Sequence, residues 1–213
     1  MSVYTVEKTF EVAACDSPNV RLLGEFFGLD TAGPRRVTVL EPKTIIINPG
    51  DVVYITGSSG AGKSVLLRLL AERMEGALLL DDVELPDDKP LVDCMDGPLD
   101  EITCWLSMVG LSDAAAMLHR PGELSEGQRY RLRLALALAR RPKVICIDEF
   151  CNSLDRVAAA MVAWSIRKFA DKYETTFLVA SAHDDILDDL SPDVIAVKHL
   201  GGTCDVMYPC KLE

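Results

Sequence analysis

The string Gly57-Ser58-Ser59-Gly60-Ala61-Gly62-Lys63-Ser64 follows directly on the apolar run Val52-Val53-Tyr54-Ile55-Thr56 and leads into Val65-Leu66-Leu67-Arg68-Leu69-Leu70-Ala71. A G-x-x-x-x-G-K-S loop where a strand hands over to a helix constrains this chain more than any other feature. Its glycines let the backbone curl until N–H groups converge on an anion, and the helix that follows adds its positive dipole end. The expected ligand is a nucleoside triphosphate wrapped by Gly57 to Val65, with Lys63 reaching the β- and γ-phosphates and Ser64 holding Mg²⁺. The plain alternative is an ordinary strand–turn–helix that binds nothing.

A second candidate group lies downstream. Arg141-Pro142-Lys143 leads into Val144-Ile145-Cys146-Ile147-Asp148-Glu149, an apolar strand ending in two carboxylates. Buried parallel strands deliver functional groups at their C-terminal ends, where the phosphate loop also lies. Asp148 is therefore placed to bind Mg²⁺, directly or through water, and Glu149 to polarise an attacking water. Alone, such a pair serves equally well as charge at a helix N-terminus.

Around these motifs, short apolar strands alternate with helices. The sequence predicts strands over Val3–Val12, Val37–Leu40, Thr44–Ile47 and Val52–Thr56, divided by Pro42 and Pro49-Gly50. A short helix capped by Ser17-Pro18 runs to about Phe27 and is closed by Gly28. Further strands are expected at Ala77–Leu80, Val144–Ile147, Thr176–Ala180 and Val194–Val197, with a last one after Gly201-Gly202. Helices are expected at Leu99–Val109, Asp113–Leu118, Leu124–Arg141, Arg156–Tyr173 and Asp184–Leu190. This alternation implies an α/β fold, a mostly parallel sheet covered on both faces, with an antiparallel β region at the N-terminus.

With 213 residues there is room for one substantial core, expected over 1–211, with Leu212-Glu213 read as a possible cloning scar. The formal charge of −11 argues against a general footprint for nucleic acid or anionic membrane. Seven cysteines without a C-x-x-C pair suggest neither a disulfide framework nor a structural metal, which fits a reducing cytoplasm. No uncharged apolar run approaches the ~20 residues of a spanning helix, and no basic-then-apolar leader is present.

Glu123-Leu124-Ser125-Glu126-Gly127-Gln128 adds the decisive string. With it the chain resembles the ATP-binding-cassette (ABC) ATPases, whose signature is usually LSGGQ. The resemblance extends through Asn152-Ser153-Leu154-Asp155, which looks like the D-loop, and His183, which looks like the switch histidine. Taken alone, His183 would be an ordinary hydrogen-bonder at a strand end. The family implies a P-loop NTPase fold of ABC type. Its parts would be an N-terminal β region over about 1–56, a P-loop core over about 52–93 and 142–200, a reduced helical subdomain over about 94–141, and a C-terminal hairpin over about 193–208. It implies ATP and Mg²⁺ as ligands and ATP hydrolysis with Glu149, His183 and Lys63 as catalytic groups. It also implies a head-to-tail homodimer in which Ser125, Gly127 and Gln128 of one copy, with Asp155, complete the site on the other.

Three departures bear on the role. Gln128 is the only glutamine, so the Q-loop glutamine of ABC transporters is absent; Asp93 is the best-placed substitute, as a metal ligand, with Asp96 second. The stretch from Lys63 to Ser125 looks short for a transporter subunit. Glu126 replaces the first signature glycine, which predicts retuned closure. Several strings also look similar to soluble ABC-type ATPases fused to acetyltransferase-like domains. The sequence therefore favours a stand-alone cytoplasmic ATPase acting on an unidentified protein or nucleic-acid partner. A transporter's ATP-binding subunit is the alternative, with a membrane subunit less favoured, and a nucleotide-dependent scaffold with negligible turnover comes third. Arg129, Arg133 and Arg140 share one helix face, while Arg131 falls on the apolar face, open to a core carboxylate. Tyr4, Phe10 and Phe27 are the candidates to stack on adenine, each equally at home in a core.

Overall fold

The computed structural model describes residues 2–15, 17–29, 33–182 and 185–209. Two long strands, β1 (Ser2–Val12) and β2 (Arg35–Ile47), form an antiparallel ribbon. Helix α1 (Pro18–Phe27) lies between them, with the Ser17 hydroxyl accepting from the Val20 N–H and Gly28 at φ 62° closing it. The expected break at Pro42 is absent, because β2 runs through it. Glu7 alone faces both Glu41 and Pro42, a bulge in which the missing proline donor costs no ladder bond. The Glu41 N–H turns away from β1 and donates to the Gly202 carbonyl.

The main sheet has six strands in the order β4 (Ala77–Leu79), β5 (Val144–Ile147), β6 (Thr176–Ala180), β3 (Val52–Thr56), β7 (Val194–Lys198), β8 (Cys204–Met207). Every neighbouring pair is parallel except β7 with β8. Strands β3, β5 and β6 are apolar and almost wholly buried, as expected where both faces are covered. Their alternating side chains divide the core in two. Tyr54, Ile145, Ile147, Phe177 and Val179 face α3 (Leu99–Met108), α5 (Glu126–Ala139) and α6 (Arg156–Tyr173), with Ile186 and Leu190, on either side of the start of the short α7 (Leu187–Leu190), in the same layer. Val53, Ile55, Cys146 and Leu178 face α2 (Lys63–Ala71) and the β1–β2 ribbon through Leu66, Leu70, Val6, Leu40 and Ile45. Each fully buried Leu, Ile or Phe contributes about 1.5–3 kcal/mol, so these layers dominate the stability.

The helical insert is joined to α6 by aromatic contacts: Trp105 lies 6.1 Å from Phe169, which lies 4.5 Å from Tyr173, centroid to centroid. The very short α4 (Ala114–Met117) completes the insert, capped by Asp113. Arg167, on α6, donates to Asp193 and Asp171, each at 2.6 Å, and to the Gly50 carbonyl. Asp193 in turn accepts from the Val52 N–H, so this network fixes α6 to the entry of β3. Among the described residues no helix is long and apolar enough to cross a membrane.

Candidate functional site

The C-terminal ends of β3, β5 and β6 open on a single cavity of about 400 Å³. From the loop after β3 it receives Ser59, Gly60, Gly62, Lys63, Ser64 and Val65; from the turn after β5, Asp148, Glu149 and Asn152. Gly57, Ser58 and Ala61 shape the loop without lining the cavity. Gly57 sits at φ 137°, and a Cβ there would lie 2.1 Å from the Lys198 carbonyl oxygen, so both torsion and space demand glycine. Gly62, at φ 97°, begins α2 with no side-chain cap, leaving the first-turn N–H groups facing the cavity mouth. The Lys63 ammonium donates to the Gly57 and Ser58 carbonyls at 2.8 and 3.1 Å, folded along the loop.

The turn after β5 is strained and heavily tied. Glu149 has φ 50° and Cys151 φ 62°, left-handed values that β-carbon residues rarely adopt. Asp148 accepts from the Glu149 N–H at 3.0 Å. Phe150 donates to the Ala180 carbonyl at 2.8 Å, and the Ser181 hydroxyl donates to the Phe150 carbonyl at 3.2 Å. Ser181 itself donates its N–H to Ile55 at the end of β3. Asn152, part of the string that resembles a D-loop, and Ser181, which no motif singles out, thus line the cavity. Ser181 could have been found as the residue just past the end of the strand next to β3.

The signature string is placed differently. Ser125 caps α5, accepting from the Gln128 N–H at 3.2 Å, while the Gln128 side-chain oxygen accepts from the Ser125 N–H at 2.9 Å. This reciprocal cap is legible as S-x-x-Q. Ser125, Gly127 and Gln128 stand outside the phosphate-loop cavity. Glu126 lines an adjoining cavity of about 340 Å³, shared with Asp148 and Glu149 and edged by Asp81, Arg129 and Arg133. A Cβ on Gly127 would lie 3.0 Å from the Ser153 carbonyl oxygen, so α5 packs closely on the segment before α6. Asp155 caps α6, accepting from the Ala158 N–H at 2.9 Å.

Tyr130, which no sequence motif singles out, joins the two segments: its hydroxyl accepts from the Cys151 N–H at 3.3 Å. Burial pushes its phenol well above the ordinary tyrosine value, and burial pushes the Cys151 thiol up to about 12. Arg131, open to a core carboxylate in sequence, instead donates to the carbonyls of Gly127 and Gly110 at 3.3 and 2.7 Å. Asp93 closes a short 3₁₀ turn, is exposed, and does not line the cavity. Tyr4, Phe10 and Phe27 do not line it either, and Phe27 is 71% exposed. His183 lies outside the described residues.

Ser64 and Asp148 bring two hard oxygen donors to one cavity, a set suited to Mg²⁺ completed by phosphate oxygens and water. Among the described residues no cluster of three or more His, Cys, Asp or Glu side chains could hold a metal ion without such help.

Comparison with known proteins bears on this arrangement. The sequence profile described as ABC transporter matches residues 40–97 and 94–152. The lipoprotein-releasing system ATP-binding protein LolD of Pseudomonas syringae pv. tomato is 31% identical over 193 residues, spanning 71% of this chain and 83% of that protein. The methionine import ATP-binding protein MetN of Corynebacterium diphtheriae is 28% identical over 211 residues, spanning 80% of this chain. The chain covers only 60% of that MetN's length. Among solved structures, a dimeric ATP-binding cassette in a post-hydrolysis state bound to ADP and Pi matches with a TM-score of 0.69 at 18% identity, covering 97% of this chain and 98% of that one. At that identity the likeness speaks for the fold alone, an α/β P-loop NTPase cassette. Profile and relatives together establish that the chain belongs to the ABC transporter family, as an ATPase domain of that family.

Proposed function

We propose that this chain is the ATP-binding subunit of an ABC transporter, hydrolysing ATP between two copies of itself to drive a membrane-spanning partner. The observation that carries the ATPase part is the meeting of Lys63, Ser64, Asp148 and Glu149 in one cavity, with the signature helix outside it. One chain thus presents half of an ATP site. The phosphate loop and Lys63 bind the β- and γ-phosphates, and Ser64 with Asp148 would hold Mg²⁺. When bound, the ion neutralises charge on the transferred phosphoryl group. Glu149, on its strained turn, orients and polarises the attacking water, and the family resemblance assigns sensing of the γ-phosphate to His183. Ser125, Gly127 and the α5 N-terminus of the second copy clasp the same phosphates, with Asp155 at the seam.

The sequence reading ranks a stand-alone ATPase above a transporter subunit on the missing glutamine and the short insert. The relatives favour the opposite order: MetN and LolD are named for methionine import and lipoprotein release, and the match to LolD spans 83% of that protein's length. Nothing in the comparisons favours a nucleic-acid partner, and the net charge of −11 disfavours one. The test is Glu149→Gln with Mg·ATP. Gel filtration should give a stable dimer without turnover, and a persistent monomer would overturn the two-copy mechanism. The transporter reading predicts that a tagged chain recovered from detergent-solubilised membranes carries a multispan protein; recovery only in the soluble fraction would count against it.

A further inference from the structure

Lys198 ends β7 directly beneath the phosphate loop and is only 1% exposed. Its ammonium donates to the His199 and Thr203 carbonyls at 2.7 and 3.3 Å, both neutral acceptors on the β7–β8 turn. Among the described residues no carboxylate reaches ion-pair distance of it; Glu41, the acidic side chain that acts on it from β2, is exposed. A buried cation held only by carbonyls is costly, and such groups are normally matched by an opposite charge. Its backbone and side chain both touch the loop. The Lys198 carbonyl blocks any side chain at Gly57, and its Cε would lie 3.8 Å from a Cβ on Gly62, which Val39 crowds from β2.

We infer that Lys198 is a positioning residue for the phosphate site: a second lysine whose charge, buried behind the loop, is balanced by the phosphates of the bound nucleotide. Lys63 meets those phosphates from within the loop, and Lys198 raises the potential from behind it. This rests on the triphosphate reading of the cavity. The charge acts on the phosphates across one layer of backbone in a partly buried site, so each phosphate charge adds to the attraction. The effect therefore grows with ligand charge.

Lys198→Gln tests this, since the amide can still donate to the turn carbonyls while the charge is removed. Calorimetry in Mg²⁺ should give a roughly tenfold weaker Kd for a non-hydrolysable ATP analogue and a smaller loss for ADP. The melting temperature of the nucleotide-free protein should hold or rise, because an uncompensated buried charge has gone. Lys198→Met, which keeps the aliphatic stem but gives up the donor to the turn carbonyls, should show the same unequal affinity losses and serves if the glutamine variant folds poorly. Unchanged affinity in the variants, or equal losses for both nucleotides with a lower melting temperature, would overturn the inference and leave Lys198 a brace for the turn. A wild-type chain that binds neither nucleotide would instead overturn the ATPase reading itself.

Discussion

Glu149 is where stability and chemistry pull in opposite directions, and Glu149→Gly separates them. Glutamate at φ 50° occupies a left-handed conformation that costs an L-residue about 1–2 kcal/mol. Glycine removes that cost but loses about 0.5–1 kcal/mol through the greater freedom of its unfolded chain. The side chain is exposed and its carboxylate makes no hydrogen bond among the described residues, so little contact energy is lost with it. The net expectation is about 0.5–1 kcal/mol of added stability, a rise of roughly 1–4 °C for a chain of this size. Glu149→Gln is the control, because it keeps the strained torsion and removes the same charge. Both variants should lose ATP turnover, and thermal melts without nucleotide should place glycine above glutamine. A glycine variant no more stable than the glutamine variant would refute the claim that this turn stores backbone strain.

Other consequences follow from the same geometry. Gly57→Ala places a Cβ against the Lys198 carbonyl at a torsion closed to alanine, so it should cost at least ~2 kcal/mol and abolish nucleotide binding; equilibrium unfolding and calorimetry would check both. Burial pushes the Cys146 and Cys151 thiols up to about 12 from an ordinary value of 9.0. A raised folded-state value favours the protonated form, so this stabilisation is complete below pH 9 and is lost as pH climbs toward 12. By pH 10 the two thiols together cost roughly 3 kcal/mol of stability. The buried Lys198, held below the ordinary lysine value, works in the opposite sense. Urea midpoints measured from pH 8 to 10.5 should decline, and Cys146→Ala should make that decline shallower; an identical slope would count against it.

Much of the frame is legible in the chain because strong apolar runs are bounded by hard punctuation. Strand β5, helix α6 and strand β6 fall at the residues expected, each flanked by Pro142-Lys143, Asp155 or Glu174-Thr175. Pro42 misleads because a proline forbids a ladder bond only where one is required, and the bulge opposite Glu7 requires none. The phosphate loop and the β5 carboxylates are legible as motifs, and their meeting follows from parallel strands ending on one side. Tyr130 and Lys198 are not legible, since each acts through a contact between segments at least 20 residues apart in sequence or through burial alone. Arg131 shows the same limit: an arginine on an apolar helix face signals a buried partner but not whether it is a carboxylate or, as here, the carbonyls of Gly127 and Gly110.

Those tertiary contacts bear on how half a site can respond to its other half. The signature helix α5 touches the turn that carries Glu149 at two points, Tyr130 on the Cys151 N–H and Gly127 against the Ser153 carbonyl. The turn is held from its far side by β6 through Ala180 and Ser181. Because β6 is a central strand with Phe177, Leu178 and Val179 wholly buried, that side is rigid, whereas α5 begins at an exposed N-terminus. On the proposed two-copy reading, a shift of α5 as Ser125 meets the nucleotide of a second copy would therefore break the Tyr130 contact or move residues 149–151. Glu149 and Cys151, both left-handed, are the elements of the turn with lower-energy torsions to move toward. On that reading, strain at Glu149, the carboxylate proposed to polarise the water, and the packing of the signature helix on its turn are two ends of one mechanical connection.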